Sequence, residues 1–329
     1  MRARWKGFES PLSDGIERFL THKRALGRKF RTEEAALRLW DRFLVERGIG
    51  QVVEIGSEVV DAFLRSRPRT TPRSYNHLVG VLARLFSWLV GQGELASSPV
   101  KAPFRCRGAE RIPFLFGRSE ARQLLQQAAN LQDWPRAPLR GLTYRTIFAL
   151  LYGLGLRVGE ASRLCCQDVD RQRDLLVIRF TKFAKSRLVP FGPRMALTLQ
   201  EYLQARAARY GPESPQAPLF SFGGKRAVHP CTISQTFHAL IPLLKLKVPP
   251  GVRPPCSHSL RHSFAVGTLL RWYRAGIDPS AHLLYLSTFL GHADPASTAV
   301  YLSITSELLD EANRRFERFA ALAIEEVSP

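Results

Sequence analysis

Six polar residues, all from position 157 onward, have the types needed to handle one phosphodiester. They are Arg157, Lys182, His258, Arg261, His292 and Tyr301. The set combines two guanidinium groups, an ammonium group, two imidazoles and a phenol, and it contains no carboxylate cluster. Guanidinium groups bind phosphate oxygens through paired hydrogen bonds, and a phenol can act as a nucleophile that forms a covalent intermediate. The residue types therefore predict a site for an anionic substrate, with its own nucleophile.

Both arginines of this set are predicted near the start of a helix. Arg157 follows a Gly-x-Gly break and opens a helical stretch. His258 and Arg261 are three residues apart and share a helix face, and the Pro-Pro pair before them prevents that helix from extending back. We therefore expect this pair in the first helical turn, where free backbone N–H groups attract anions.

The remaining positions have ordinary explanations when each is taken alone. His292 follows a Leu-Gly turn, where a histidine often caps a helix, and Tyr301 also fits an amphipathic core position. Lys182 lies in the turn of a predicted hairpin, where Lys185 competes for the same role. The order and context of the whole set, rather than any single residue, support the site.

The net charge indicates the class of partner. The chain has 329 residues, a hydrophobic fraction of 45%, a formal net charge of +20 and a pI near 10.5. It is long enough for two domains that each bury a core. Its excess of positive charge favours nucleic acid as a partner. The basic residues are dispersed rather than gathered beside an apolar helix, which makes an anionic membrane the weaker alternative.

The cysteines and the N-terminus give no sign of a metal or of a targeting segment. The five cysteines have no zinc or disulfide spacing, and no apolar segment follows the charged N-terminus. We therefore expect no zinc site and no secretory signal. The longest nearly apolar run, Ile147 to Leu156, is too short to span a bilayer, so we also expect no membrane span. The expected protein is soluble and cytoplasmic.

Hydrophobic periodicity and proline positions divide the chain into four parts. Residues 1–100 predict a small unit of four helices, residues 101–112 a basic linker, residues 113–306 a second domain, and residues 307–329 an acidic helical tail. The second domain is predicted to be mainly helical. Its one convincing β-hairpin is made by Leu175–Thr181 and Arg187–Phe191.

Two basic segments are candidates for phosphate contacts outside the site. The turn at residues 67–73 precedes the fourth predicted helix, and a helix N-terminus favours phosphate, although a solvated loop explains this turn equally well. The second segment is the linker. The candidate DNA-binding residues are Arg67, Arg69, Arg73, Lys101, Arg105 and Arg107.

The order and contexts of these residues resemble the tyrosine recombinases, the phage-integrase and Xer-like family. The strongest matches are Gly153 to Glu160, the hairpin region Thr181–Phe191, Leu260-Arg261-His262-Ser263-Phe264-Ala265, and Leu290-Gly291-His292 followed by Tyr301. The resemblance covers nearly the whole length. It implies an N-terminal four-helix, SAM-like core-binding domain and a mixed α/β catalytic domain of the tyrosine-recombinase type.

The resemblance also implies a reaction, which is site-specific DNA cleavage and rejoining without metal or ATP. Tyr301 would attack the scissile phosphorus and form a 3′-phosphotyrosyl link. Arg157 and Arg261 would hold the non-bridging oxygens as negative charge develops. Lys182 would protonate the leaving 5′ oxygen.

The resemblance assigns supporting roles to the two histidines and implies the partners. His258 would help to move the phenolic proton, and His292 would hydrogen-bond the phosphate. The partner would be double-stranded DNA with paired recombination sites, bound by a homotetramer, alone or with other recombinases. The apolar stripe of residues 307–329 could pack on its own domain or on a neighbouring protomer. Because C-terminal segments exchange between protomers in this family, we favour exchange.

Two features depart from the family pattern. Ser259 stands where the family often has Asp, so the local support of the helix is expected to differ. The segment between Arg261 and His292 is longer than in Xer-like relatives. A surface extension is the favoured explanation of that length, and an added protein or DNA contact is the other.

Two other functions fit part of the pattern. One is a type IB topoisomerase-like enzyme, which nicks and closes DNA as a monomer with a similar pocket. The other is a DNA-binding regulator without catalysis, against which the complete set of six residues argues.

Overall fold

The structure, a computed structural model, describes residues 7–106, 108, 111–179, 186–212, 214–292, 294–303 and 310. Lys182, Lys185 and Arg107 lie outside these described residues, as do residues 307–309 and 311–329 of the predicted tail, so the expectations for them stay predictions. The chain divides into two compact units, Met1–Glu110 and Arg111–Pro329.

In its described part, the first unit is a bundle of four helices, as the sequence predicts. They are α1 (Ser13–Ala25), α2 (Arg31–Glu46), α3 (Ser57–Ser66) and α4 (Pro72–Gly91), with a 3₁₀ turn at Val52–Glu54. Their apolar faces meet around the fully buried Trp40, which makes edge-on ring contacts with Phe63 at 5.1 Å and with Phe86 at 6.1 Å. Burial of these large rings stabilises the bundle.

The described part of the second unit is mainly helical. Its helices are α5 (Arg118–Ala129), α6 (Arg140–Gly153), α7 (Val158–Arg163), α8 (Pro193–Tyr210), α9 (Pro230–Leu240), α10 (Ser257–Arg274), α11 (Pro279–Leu290) and α12 (Ala296–Ala299), with 3₁₀ turns at Cys166–Asp168, Ile241–Leu244 and Val300–Ser303. Helix α6 is buried on most sides and forms the centre of the core, where Phe148 stacks edge-on against Phe237 at 5.8 Å. The expected fold class, mainly helical with a small sheet, is confirmed.

A small antiparallel sheet packs on this helical core. Its strands are β1 (Val169–Asp170), β2 (Leu175–Ile178) and β3 (Arg187–Pro190), in the order β1-β2-β3. The register of the predicted hairpin pairs Leu175 with Pro190 and Ile178 with Arg187. Strand β1, which the sequence did not predict, is too short to show an alternating pattern. Strand β2 ends at Ile178 rather than at Thr181, and Thr181 lies outside the described residues.

A separate cluster of buried side chains packs around Tyr301. Helices α10 and α11 supply it with Ala265, Val266, Leu269, Leu270, Leu286 and Leu290. These two helices form most of the segment between Arg261 and His292. The inner face of this segment therefore belongs to the core that holds Tyr301, and only its outer face, with Leu284 and Tyr285, is exposed.

The chain enters the second unit beside α10, the helix that carries His258 and Arg261. The backbone N–H of Ile112 donates to Gly251, and Ile112 in turn accepts a hydrogen bond from the N–H of Arg253. Four residues on, the N–H of Phe116 donates to the Ser263 hydroxyl on α10 at 2.7 Å. Together these hydrogen bonds fix the start of α10 against the segment from Ile112 to Phe116.

Candidate active site

The structure brings five of the six predicted site residues together, and Lys182 lies outside the described part. Arg157 precedes α7, His258 and Arg261 lie on α10, His292 follows α11, and Tyr301 lies in the 3₁₀ turn after α12. A chain of contacts connects these elements. Both guanidinium groups donate to the carbonyl of Leu290, at 3.4 Å from Arg157 and 2.8 Å from Arg261. The rings of His292 and Tyr301 stack at 6.4 Å.

Arg157 is held at the N-cap of α7 by an acidic residue on its own helix. Its backbone N–H donates to one carboxylate oxygen of Glu160 at 2.9 Å, and its guanidinium donates to the other at 2.6 Å. The guanidinium also donates to the carbonyl of Gly291 at 2.9 Å. The side chain keeps 32% of its surface exposed, so this cation is fixed and still open to a ligand.

Glu160 and Arg187 form a buried ion pair behind Arg157, which sequence reasoning missed. The Arg187 guanidinium donates to both carboxylate oxygens of Glu160, at 3.0 and 2.9 Å. Burial opposes ionisation, but the hydrogen bonds and charges of Arg187 and Arg157 prevail and hold the pKa of Glu160 at about 2. Glu160 is therefore a permanent anion that orients one arginine of the pocket. Its place three residues after Arg157, at the capping-box position, was the available sequence signal.

Arg261 is completely buried, which is rare for a charged residue. Its guanidinium donates to the carbonyls of Gly155 at 2.6 Å and Leu290 at 2.8 Å, while its Nε–H has no hydrogen-bond partner. Burial and the charge of Arg157 lower the pKa of Arg261 to about 9, so it remains a cation at neutral pH. A buried cation with an unpaired donor is poised to gain from an anionic acceptor.

Two glycines allow the backbone to approach these arginines. Gly155 has a φ of +61°, and a Cβ there would lie 2.6 Å from Phe264. Gly291, at the C-cap of α11, has a φ of +68°, and a Cβ there would lie 2.7 Å from the Arg187 guanidinium. Because both positions combine left-handed backbone with close packing, a larger residue would displace the carbonyls that hold the guanidinium groups.

Tyr301 contacts two imidazoles and is only 4% exposed. Its hydroxyl oxygen is 2.9 Å from Nδ1 of His262, and its ring stacks with that of His292 at 6.4 Å. Burial raises the pKa of the phenol, and the positive charges of Arg261 and Arg157 oppose that rise. The hydroxyl is therefore neutral at physiological pH and needs a proton acceptor to become a strong nucleophile.

His292 is fixed by the turn that leads to Tyr301. Its Nδ1 lies 2.6 Å from the hydroxyl of the fully buried Thr298. Burial, together with the charges of Arg261 and Arg157, lowers the pKa of His292 to about 4. The ring is therefore neutral at pH 7 and has Nε2 available for another partner.

His258 and His262 lie one helical turn apart on α10, with their rings edge to face at 4.5 Å. Partial burial, together with the charges of Arg261 and Arg157, lowers the pKa of His258 to about 4, although part of this residue is exposed to solvent. Burial, His258 and Arg261 lower the pKa of His262 to about 4 as well. His262 lies in the motif around Arg261, but the sequence alone predicted no role for it. Its spacing of four residues from His258, on the same helix face, was the signal that could have found it.

The start of α10 differs slightly from expectation. The helix begins at Ser257, so His258 lies in its first turn, but Arg261 lies in the second turn rather than the first. Ser259, which replaces the Asp common in the family, is buried, and its hydroxyl accepts a hydrogen bond from the N–H of Cys256 at 3.1 Å. Ser259 therefore caps the helix itself.

The described residues include no candidate metal site and no membrane-spanning helix. In that part of the chain, no group of three or more His, Cys, Asp or Glu side chains could hold a metal ion. All five cysteines lie within the described residues, and none of them forms a disulfide. None of the helices in the described ranges is long and apolar enough to cross a bilayer.

Comparison with known proteins identifies the family. Residues 117–307 match the phage integrase family. The chain belongs to that family. It is 32% identical to the putative integrase/recombinase y4rB of Sinorhizobium fredii over 94% of its own length and 98% of that protein. It is 28% identical to tyrosine recombinase XerD of Lacticaseibacillus casei, over 76% of its own length and 79% of that protein.

The fold of this integrase-family protein is also found in a solved structure. The integrase of transposon Tn1549, in complex with a circular intermediate DNA, has a TM-score of 0.67 and 14% identity, and the match covers 94% of this chain and all of that one. The resemblance read from the motifs is thus confirmed, and the protein is a tyrosine recombinase, an enzyme that breaks and rejoins DNA strands.

Elsewhere in this tyrosine recombinase, the first unit gathers several of the predicted DNA-binding residues. Arg105 lies over the ring of Tyr75 at 3.8 Å and donates to the carbonyl of Arg69 at 3.1 Å. The Asn76 side chain pairs with both the N–H and the carbonyl of Arg105, at 2.8 and 2.9 Å. We call Arg69, Tyr75, Asn76 and Arg105 the basic platform. Arg67 follows α3 directly, and Arg73 lies in the first turn of α4 rather than in the turn before it. Lys101 is exposed further along, and Arg107 lies outside the described residues.

Proposed function

We propose that this recombinase cleaves DNA by attack of the Tyr301 phenol on a phosphodiester bound between Arg157 and Arg261. The observation that supports this most directly is the pocket itself, where a buried phenol, two fixed guanidinium groups and three neutral imidazoles meet. In-line attack would give a 3′-phosphotyrosyl intermediate and a free 5′-hydroxyl. The covalent link conserves the bond energy, so rejoining needs no ATP.

The two arginines would bind the non-bridging oxygens. Both are already fixed by backbone carbonyls, so little ordering is needed when the substrate arrives. The unpaired Nε–H of Arg261 offers a donor that a phosphate oxygen would satisfy. Removing one such donor from a preorganised pocket typically slows a reaction by about 10²- to 10³-fold.

The histidines would complete the phosphate contacts. His292 is oriented by Thr298, which leaves Nε2 for a phosphate oxygen. His258, which the resemblance places on the phenolic proton, has no hydrogen bond to Tyr301 among the described contacts, so we propose that it also contacts the phosphate. Lys182 would protonate the 5′ oxygen. A 5′-thio leaving group, which needs no proton, should then partly rescue Lys182→Ala, and rescue of Lys185→Ala instead would assign the role to Lys185.

The basic surfaces support duplex DNA as the partner. A net charge of +20 favours a polyanion, and the basic platform adds a guanidinium fixed on an aromatic ring. We propose that Arg67, Arg69, Arg73, Lys101, Arg105 and Arg107 contact the phosphate backbone. We further propose a tetramer that holds two recombination sites together. Exchange of residues 307–329 between protomers would couple its active sites, and unchanged assembly on DNA after deletion of those residues would contradict the exchange.

A nicked suicide DNA that carries the cognate site tests the function. Wild-type protein should accumulate a covalent adduct, because the short fragment after the nick diffuses away and religation stops. Tyr301→Phe should form no adduct while binding the DNA as before. Adduct formation by Tyr301→Phe, or its absence with wild-type protein that binds the site, would contradict the proposal. Joining of two sites, as opposed to relaxation of supercoils alone, separates a recombinase from a topoisomerase-like enzyme.

A further inference from the structure

A histidine outside the predicted set makes the direct contact with the tyrosine hydroxyl. Nδ1 of His262 lies 2.9 Å from the Tyr301 oxygen, across 39 positions of sequence. The rings are 5.5 Å apart, and both side chains are mostly buried. A contact of this length is an ordinary hydrogen bond between a phenol and an imidazole nitrogen.

The other two histidines are placed for different partners. Nδ1 of His292 pairs with the hydroxyl of Thr298 at 2.6 Å, and the His292 ring stacks on the ring of Tyr301. Its Nδ1 is therefore already engaged away from the phenol oxygen. His258 lies edge to face with His262 at 4.5 Å, and the described residues show no hydrogen bond from it to Tyr301. Of the imidazoles in the described pocket, His262 alone is hydrogen-bonded to the reacting oxygen.

We propose that His262 is the proton acceptor for Tyr301 in cleavage and the proton donor to it in religation, which rests on the proposed function of Tyr301. In cleavage the phenol oxygen forms its bond to phosphorus as the phenolic proton moves to Nδ1 of His262. The bond from phosphorus to the 5′ oxygen breaks, and that oxygen keeps the electron pair and takes a proton from the leaving-group acid. Religation reverses each transfer, and the imidazolium returns its proton to the departing phenol oxygen.

The surroundings of His262 keep it ready to accept a proton. The groups that face it are His258 and Arg261 on its own helix, Arg253 on the loop before the helix, His292 after α11, and Tyr301 itself. Burial and the positive charges of Arg261 and Arg253 keep the ring neutral in the free protein, so Nδ1 is free of a second proton and can accept one. A bound phosphate brings negative charge next to these cations, which favours the imidazolium as the proton arrives.

The matched variants are His262→Asn and His262→Ala. The amide oxygen of Asn can occupy the place of Nδ1 and keep the hydrogen bond to Tyr301, but it cannot take the proton. Single-turnover cleavage of the suicide DNA by His262→Asn should be about 10²- to 10⁴-fold slower at pH 7, with unchanged DNA affinity. Its rate should rise steadily with pH, because hydroxide replaces the missing base. Free imidazole should accelerate His262→Ala, which has room for it.

A second substrate separates proton transfer from a structural role. DNA that ends in a 3′-(4-nitrophenyl) phosphate has a leaving group that needs no proton, so its joining to a 5′-hydroxyl bypasses the step assigned to His262. In a Tyr301→Ala background, which leaves space for the nitrophenyl ring, His262→Asn should join this DNA at the rate of the background. Arg261→Lys should not.

The outcomes separate the inference from the function on which it rests. Wild-type cleavage through Tyr301 together with wild-type rates for His262→Asn would overturn the role of His262 and leave the function intact. Slow joining of the nitrophenyl substrate by His262→Asn would also overturn it, since a general loss of pocket structure would then explain the defect. Absence of any Tyr301 adduct in wild-type protein would instead overturn the proposed function.

Discussion

The carboxylate of Glu160, 3% exposed, accepts two hydrogen bonds from the guanidinium of Arg187. Removing Glu160 leaves this arginine uncompensated in a buried site, and it also releases Arg157. We expect Glu160→Ala to reduce the free energy of unfolding of the catalytic unit by about 3–5 kcal/mol, as measured by urea denaturation. Glu201→Ala is the matched control, because it breaks the exposed Arg145–Glu201 pair and should cost at most about 1 kcal/mol. Equal losses for both variants would contradict the role assigned to Glu160.

Gly155 supplies a carbonyl to Arg261 from a left-handed conformation. Gly155→Ala adds both backbone strain and a Cβ that would lie 2.6 Å from Phe264 and 2.8 Å from Leu290. Gly224→Ala adds strain at a φ of +73° with nothing within 4 Å of the new Cβ. We expect thermal denaturation to show a loss of about 1 kcal/mol for Gly224→Ala and of several kcal/mol for Gly155→Ala. Only Gly155→Ala should also abolish adduct formation.

The stability of the catalytic unit should fall on acidification in two windows. Burial lowers the pKa of His262 and of His292 from 6.5 to about 4, so these rings stabilise the folded state above pH 6.5, and this contribution is lost as the pH falls to 4. The pKa of Glu160 is lowered from 4.5 to about 2, so its contribution is present above pH 4.5 and is lost towards pH 2. Urea denaturation at a series of pH values should show both slopes.

Two variants show which residues cause the loss of stability in each pH range. His262→Asn should flatten the dependence between pH 6.5 and 4, and Glu160→Gln should flatten it below 4.5. A free energy of unfolding that does not change between pH 7 and 5 in the wild-type protein would contradict neutral histidines in the pocket.

Arg105 should contribute to DNA affinity without any part in the chemistry. Its guanidinium is fixed on Tyr75 and its backbone is held by Asn76, so we expect it to contact a phosphate with little loss of side-chain freedom. Arg105→Ala should weaken binding and reduce the slope of log affinity against log salt concentration by about one unit. Cleavage at saturating DNA should be unchanged. Arg145→Ala, which removes an arginine outside the basic platform, is the control and should leave the salt slope as it is.

Local sequence patterns predicted the helices and strands well, because hydrophobic spacing and the positions of glycine and proline depend on residues close in sequence. The four helices of the first unit follow from apolar spacing, and α10 begins immediately after its prolines. The hairpin followed from two β-rich runs. Strand β1 was missed because two residues show no alternation, and Arg261 fell one turn later than expected because the helix starts only one residue before His258.

The contacts that organise the site join residues far apart in sequence, and no periodicity encodes them. Arg187 reaches Glu160 across 27 positions, and Tyr301 reaches His262 across 39. The order of the motifs predicted that the cationic and phenolic residues form the site, since these residue types suit a phosphodiester. It did not show which imidazole meets the phenol, because that depends on how the turn after α11 returns the chain to α10.

The end of α11 has a consequence for what the enzyme will accept. The carbonyls of Leu290 and Gly291 already occupy donors of both pocket arginines, and a helix C-terminus carries partial negative charge. An isolated phosphate ion or a nucleotide must compete with these carbonyls without help from any other contact. A phosphodiester within a long duplex is held at the pocket by contacts that the protein makes elsewhere along the DNA. If the arginines bind the scissile phosphate as proposed, the resting pocket should bind small phosphate ions weakly and a phosphodiester within bound DNA more strongly.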